Sequence, residues 1–169
     1  MKLARLLLVA VIAALALVAA ALVWRTLAHG TPAPRVSYTL LNGQKGDTES
    51  LRGKVVLVNF WATTCTVCVA EMPRIVSTHL KFNRLGYETV AVAMRYDPPA
   101  LVARFAESRQ LPFGVAIDNT GEIARRFGNV QLTPTILLID KHGNIVERFV
   151  GAPDFTLLHA LIDKLLAEA

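Results

Sequence analysis

Apolar residues recur along this chain in three patterns, and each predicts a different kind of element. The first is an unbroken run of 19 residues, Leu6 to Trp24. At the helical rise such a run spans roughly 28 Å, close to the hydrocarbon thickness of a bilayer. The second is a set of short blocks: Val55 to Phe60, Thr89 to Met94, Phe113 to Ile117 and Thr135 to Ile139. Short blocks with little polar interruption suit strands covered on both faces. The third is helical, with Leu158, Leu161, Ile162, Leu165 and Leu166 recurring at a 3.6-residue period, as in a helix that covers a sheet.

The segments between these blocks complete the order. Val36 to Leu41 reads as a strand ending at Asn42-Gly43, a strong hairpin-turn pair. Val69 to Leu85 is helix-like, and Pro73 within it predicts a kink or a break. Asp97-Pro98-Pro99 opens a helix whose Leu101, Val102 and Phe105 share a face, and Gly121 to Phe127 forms a short one. The turn His142-Gly143-Asn144 joins Thr135–Ile139 to Ile145–Val150 in a late antiparallel hairpin. Strands alternating with helices predict an α/β domain. Two prolines and a glycine in His29 to Pro34 predict a linker. The expected division is therefore a basic end (1–5), a transmembrane anchor (6–24), a linker (25–35) and one globular domain (36–169).

Charge sharpens the reading of the front end. The chain carries +5, of which Lys2, Arg5 and Arg25 supply three, leaving +2 for the remainder. The basic residues beyond the anchor are scattered, apart from Arg125-Arg126, which opposes a nucleic-acid surface. Lys2 and Arg5 predict a cytoplasmic amino terminus, with the domain across the membrane. A removable signal peptide competes, and Thr26-Leu27-Ala28 is a passable cleavage triplet. Signal cores run to only about 7–15 residues, and Trp24 and Arg25 end the run like an interfacial anchor; both points favour an uncleaved span.

The chemistry lies in the only two cysteines, Cys65-Thr66-Val67-Cys68, placed between a strand block and a helix. A loop this short constrains an unfolded chain little, so redox chemistry explains the spacing better than stapling. Cys65 at a helix start is the expected attacking sulfur, because unpaired N–H groups there favour the thiolate. Cys68, one turn deeper, is the expected resolving thiol. Glu71 shares the face of Cys68. It reads equally as a carboxylate that tunes or accepts the thiol proton and as an acid complementing the helix dipole. Asn59, polar in an apolar block, is expected to hydrogen-bond internally. Trp61 fits the apolar surround of the site or plain core packing. Pro134 at a strand start predicts either a cis Thr133–Pro134 bond, exposing Thr133 to a substrate peptide, or a simple strand entry. His29, His79, His142 and His159 read as surface or packing residues. No P-loop, Rossmann fingerprint or HExxH motif occurs.

These residues resemble the thioredoxin superfamily, and within it the membrane-anchored TlpA/ResA-type disulfide reductases. The matching stretches are Val55 to Thr63, Cys65 with Cys68, Glu71-Met72-Pro73, Thr133-Pro134-Thr135 and Leu138-Ile139-Asp140 to Gly151. The resemblance implies a thioredoxin-like sandwich, a central mixed sheet flanked by helices, with an N-terminal hairpin and an inserted strand–helix unit. It implies Cys65 as nucleophile, Cys68 as resolving thiol, Glu71 as the tuning acid and Pro134 in cis. The residues expected on the substrate side, from their positions, are Trp61, Thr133 and Pro134. No cofactor or metal is implied beyond the redox-active Cys65–Cys68 pair. The implied partners are disulfide-bearing proteins such as apocytochromes c or copper-site proteins, with a membrane thiol transporter as electron donor. The implied location is the outer side of a bacterial cytoplasmic membrane. Val67 stands where the family usually has proline, and Thr64 where tryptophan is common. A Cu(I) chaperone and a thiol peroxidase are the competing functions. The first lacks a third soft ligand beside the cysteines, and the second lacks a threonine or serine at Ala62. A non-catalytic binding module is a further alternative.

Overall fold

The computed structural model describes residues 11–20 and 30–168. Residues 11–20 are helical and exposed, and fall in a unit separate from the body Thr31–Ala169. Among the described residues no helix is long and apolar enough to cross a membrane. The basic end, residues 6–10 and 21–24 of the predicted span, and residues 25–29 of the linker lie outside the described residues.

The body is built on a six-stranded mixed sheet of order β1-β8-β7-β4-β5-β6. The strands are β1 (Thr31–Pro32), β4 (Val55–Trp61), β5 (Tyr87–Ala93), β6 (Gly114–Ile117), β7 (Thr135–Ile139) and β8 (Asn144–Val150). β4, β5 and β6 run parallel, whereas β7 lies antiparallel to β4, and β8 and β1 continue antiparallel. β2 (Ser37–Thr39) and β3 (Lys45–Asp47) form a separate hairpin that meets β6 through a Leu40–Ala116 bridge. Gly43 takes φ 82° in its turn, a left-handed conformation that glycine enters without strain.

Four helices cover the sheet: α1 (Thr66–Phe82), α2 (Pro99–Ser108), α3 (Glu122–Arg126) and α4 (Phe155–Ala167). Burial of β4 on both faces explains its apolar sequence. Val55, Leu57 and Trp61 pack in one core layer with Met72 and Ile75 of α1, Val102 of α2 and Leu158 and Ile162 of α4. Val56, Val58 and Phe60 face the other layer, with Ile123 and Ala124 of α3 and nearby Phe127. This arrangement is the α/β domain that the sequence pattern predicts, in the form of the thioredoxin-like sandwich that the resemblance implies. Asp154 caps α4 by accepting hydrogen bonds from the backbone N–H groups of Thr156 (2.8 Å) and Leu157 (3.3 Å).

Two expectations need correction. Thr31 and Pro32, assigned to the linker, pair with Ile145 and Asn144 as an edge strand, so the compact body starts at residue 31 rather than 36. Proline is tolerated there because an edge strand can leave its missing N–H on the unpaired side. Of the kink and the break that Pro73 allows, the break does not occur: α1 runs on to Phe82. An interior proline costs about 3 kcal/mol or more. Burial of Cys68, Met72, Ile75 and Phe82 along the inner face of α1 outweighs that loss. The same two-sided burial makes β4 intolerant of truncation: Leu57→Ala should cost about 2–5 kcal/mol in chemical denaturation. Wild-type stability in that variant would contradict the packing described.

Candidate active site

β4 ends at Trp61, and the chain reaches α1 through a turn in which the Cys65 N–H donates to the Ala62 carbonyl at 3.1 Å. Cys65 is extended (φ −86°, ψ 103°) and occupies the N-cap of α1, where its sulfur accepts a hydrogen bond from the Cys68 N–H at 3.1 Å. The two cysteines are joined as a disulfide, with Cα atoms 5.2 Å apart. Cys65 is partly exposed and Cys68 is wholly buried. Val67, between them, is 48% exposed. A partner can therefore approach only the Cys65 side of the pair.

Glu71 lies one turn beyond Cys68 on α1 and is 5% exposed. Among the described residues neither of its carboxylate oxygens has a hydrogen-bond partner. A buried carboxylate without donors is costly to ionise. Burial pushes Glu71 up to about 7, opposed in part by the nearby Arg74 guanidinium.

Asn59 corrects an expectation. It is fully buried at the middle of β4, yet its Oδ1 and Nδ2 have no partner among the described residues. Strand alternation puts it on the same face as Leu57 and Trp61, the layer that also holds Cys68. Trp61 belongs to the core: it is wholly buried, with its ring centroid 5.0 Å from that of Phe105. Of the two readings open for it, apolar surround of the site or plain core packing, the second is the one observed: the two-sided covering of β4 leaves its ring no exposed face to turn to the substrate side.

Pro134 is buried at the start of β7 and follows a cis Thr133–Pro134 bond. The pairing of Phe60 with Thr135 brings this loop beside the end of β4, and so beside the cysteines. Thr133 is half-buried, and its hydroxyl lies 3.3 Å from the Tyr96 hydroxyl. Exposed Val67, Tyr96 and Leu132 give this end of the sheet an apolar rim. An apolar cleft of about 240 Å³ opens between α1 and α2, lined by Val69, Met72, Pro73, Val76 and Phe105 among others. A larger cavity of about 820 Å³ lies at the β2–β3 hairpin and α3, and no cysteine lines it.

Asp97 escaped the sequence reading as a site residue. It was legible only as the start of a helix, but α2 is entered through Pro98 without a side-chain cap. The buried Asp97 carboxylate instead reaches Thr63, two residues before Cys65. No local sequence signal marks a contact between residues 34 apart. Two histidines pack as expected: His79 is buried against Tyr87 and Phe113, and His159 bonds the Thr78 hydroxyl at 2.9 Å. His142 is exposed, and His29 lies outside the described residues.

Known proteins are similar to this chain in sequence and in fold. The thiol-disulfide oxidoreductase ResA of Bacillus thuringiensis subsp. konkukian is 34% identical over 136 residues, covering 80% of this chain and 78% of that protein. Its counterpart in Geobacillus kaustophilus is 35% identical over 124 residues, covering 73% and 70%. A thiol:disulfide interchange protein of the thioredoxin family from Chlorobium tepidum superposes with a TM-score of 0.74 at 27% identity, covering 82% of this chain and 97% of that one. Fold, redox pair and relatives together define a thiol–disulfide oxidoreductase of the thioredoxin superfamily, similar to the ResA group. A family model described as Redoxin matches residues 28–162, and the chain belongs to that family.

The raised Glu71 gives a pH prediction with a fixed sign. Between its ordinary value of 4.5 and about 7 the folded state holds a proton that the unfolded state has released. Stability of the oxidised protein is therefore greatest below that window and falls as pH rises through it, by up to about 3 kcal/mol. Denaturation of wild type and Glu71→Gln across the window should show the fall in wild type only. Parallel curves would remove the assignment.

Proposed function

We propose that the protein reduces disulfides of other proteins outside the cytoplasmic membrane, with Cys65 attacking and Cys68 resolving. The observation that carries this reading is the unequal exposure of the two sulfurs: one stands at an open helix start and the other is enclosed behind it. The Cys65 thiolate attacks one sulfur of a substrate disulfide, forming a mixed disulfide and releasing the second substrate sulfur as a thiolate that takes a proton. Cys68 then gives its proton to a base and attacks the Cys65 sulfur. The substrate leaves as a dithiol, and two electrons have passed from the protein, which ends as the Cys65–Cys68 disulfide. Glu71, buried one turn from Cys68 and pushed up to about 7, suits the role of that base near neutral pH. Thr133 and Pro134 line the substrate side.

Residues 6–24 anchor the chain in the membrane, with residues 1–5 on the cytoplasmic side. The supports are the length of the apolar run and its basic flank. Reduction in an oxidising compartment needs imported electrons, so a membrane thiol transporter is the donor. Apocytochromes c and copper-site proteins are the client classes.

Cys65→Ser should abolish disulfide reduction by the purified protein, while Cys68→Ser should accumulate mixed disulfides on Cys65. Full activity in Cys65→Ser would sink the assignment. Rapid alkylation of growing cells tests direction: the pair should be trapped mostly as dithiol, and a mostly oxidised pair would make the protein an oxidant.

A further inference from the structure

We propose that Asp97 is a positioning residue for the nucleophile, acting through Thr63. Asp97 is 1% exposed and forms no ion pair among the described residues. Its two carboxylate oxygens are both used by one residue. Oδ2 accepts from the Thr63 backbone N–H at 2.5 Å, and Oδ1 accepts from the Thr63 hydroxyl at 2.5 Å. A carboxyl group that accepts from both the N–H and the hydroxyl of one residue fixes that residue's direction as well as its distance.

The contact joins two turns at one end of the sheet. In the first, the Cys65 N–H closes on the Ala62 carbonyl, with Thr63 inside the turn. In the second, the Asp97 N–H closes on the Met94 carbonyl at 2.9 Å. The Met94 N–H donates to the Trp61 carbonyl at 3.0 Å, so the two turns are tied at the strand end and again through the carboxylate. An aspartate placed merely to start α2 would turn its oxygens to the first N–H groups of that helix. Here Leu101 and Val102 donate to the Pro98 carbonyl, and the carboxylate serves the turn that carries Cys65.

The consequence falls on sulfur geometry. In the disulfide form Cys65 holds its sulfur over the Cys68 N–H at 3.1 Å, and an N–H aimed at the sulfur from a helix start favours the thiolate once the bond is reduced. Releasing Thr63 frees the turn and weakens the bond. Asp97 thus sets the thiolate population of Cys65 without touching it. The inference rests on Cys65 being the attacking sulfur.

The test is the pH profile of Cys65 alkylation in the full chain, purified in detergent with Cys68→Ser to leave one thiol. Asp97→Ala should raise the midpoint by about one unit, slowing alkylation near neutral pH about tenfold. Asp97→Asn keeps an oxygen acceptor for the Thr63 N–H and should recover most of the rate. Thr63→Val keeps only the backbone bond and should fall between them. An unmoved midpoint in Asp97→Ala overturns the proposal. So does a downward shift in both Asp97 variants, which would mean that the sulfur feels the charge and not the bond. If Asp97→Ala does not fold, an unmoved midpoint in Thr63→Val decides against it. Turnover surviving in Cys65→Ser is a separate failure, because it removes the nucleophile assignment and leaves the alkylation shifts standing.

Discussion

Strand register is the constraint on which the site depends. β4 is bonded along both edges, and its partners are aligned so that Trp61 lies opposite Ala93 of β5 and Phe60 opposite Thr135 of β7. Because β5 is parallel to β4, the chain leaves both strands at the same end of the sheet. Because β7 is antiparallel, it enters there. The turns holding Thr63 with Cys65, Tyr96 with Asp97, and Thr133 with Pro134 are therefore neighbours, though they come from distant parts of the sequence. A one-residue slip of β4 would exchange its two faces and carry Asn59 and Trp61 into the opposite layer.

The burial that fixes the register also creates the chemistry. A core dense enough to enclose Cys68 and Glu71 leaves the carboxylate without donors, so its proton is held to near-neutral pH. The exposed sulfur has the opposite environment, at a helix start with an N–H directed at it. The Glu71 carboxyl and the Cys65 sulfur, six residues apart, thus have opposite surroundings, one enclosed without donors and the other partly open to solvent with an N–H aimed at it.

The sequence was most legible where physics is local or periodic. Apolar blocks marked four of the sheet's strands and the late hairpin, Asn42-Gly43 marked its turn, and the spacing of Cys65 and Cys68 marked the redox pair. Periodicity could not show that Asn59 would be buried without a partner, since that depends on what packs over the middle of β4. Pro73 signalled a kink or a break because its local cost is real; only the assembled core shows that the helix continues past it. Thr31-Pro32 looked like linker because an edge strand of two residues owes its form to β8 and not to its own composition. Asp97 was hidden for the same reason, its partner lying in another turn.

The edge strand β1 closes one side of the sheet as well as extending it. Thr31 and Pro32 pair with Ile145 and Asn144, so Ile145 of β8 has a strand partner on both sides. A proline in the outermost strand withholds a donor that an added strand would need, which makes this edge a poor template for pairing with another chain.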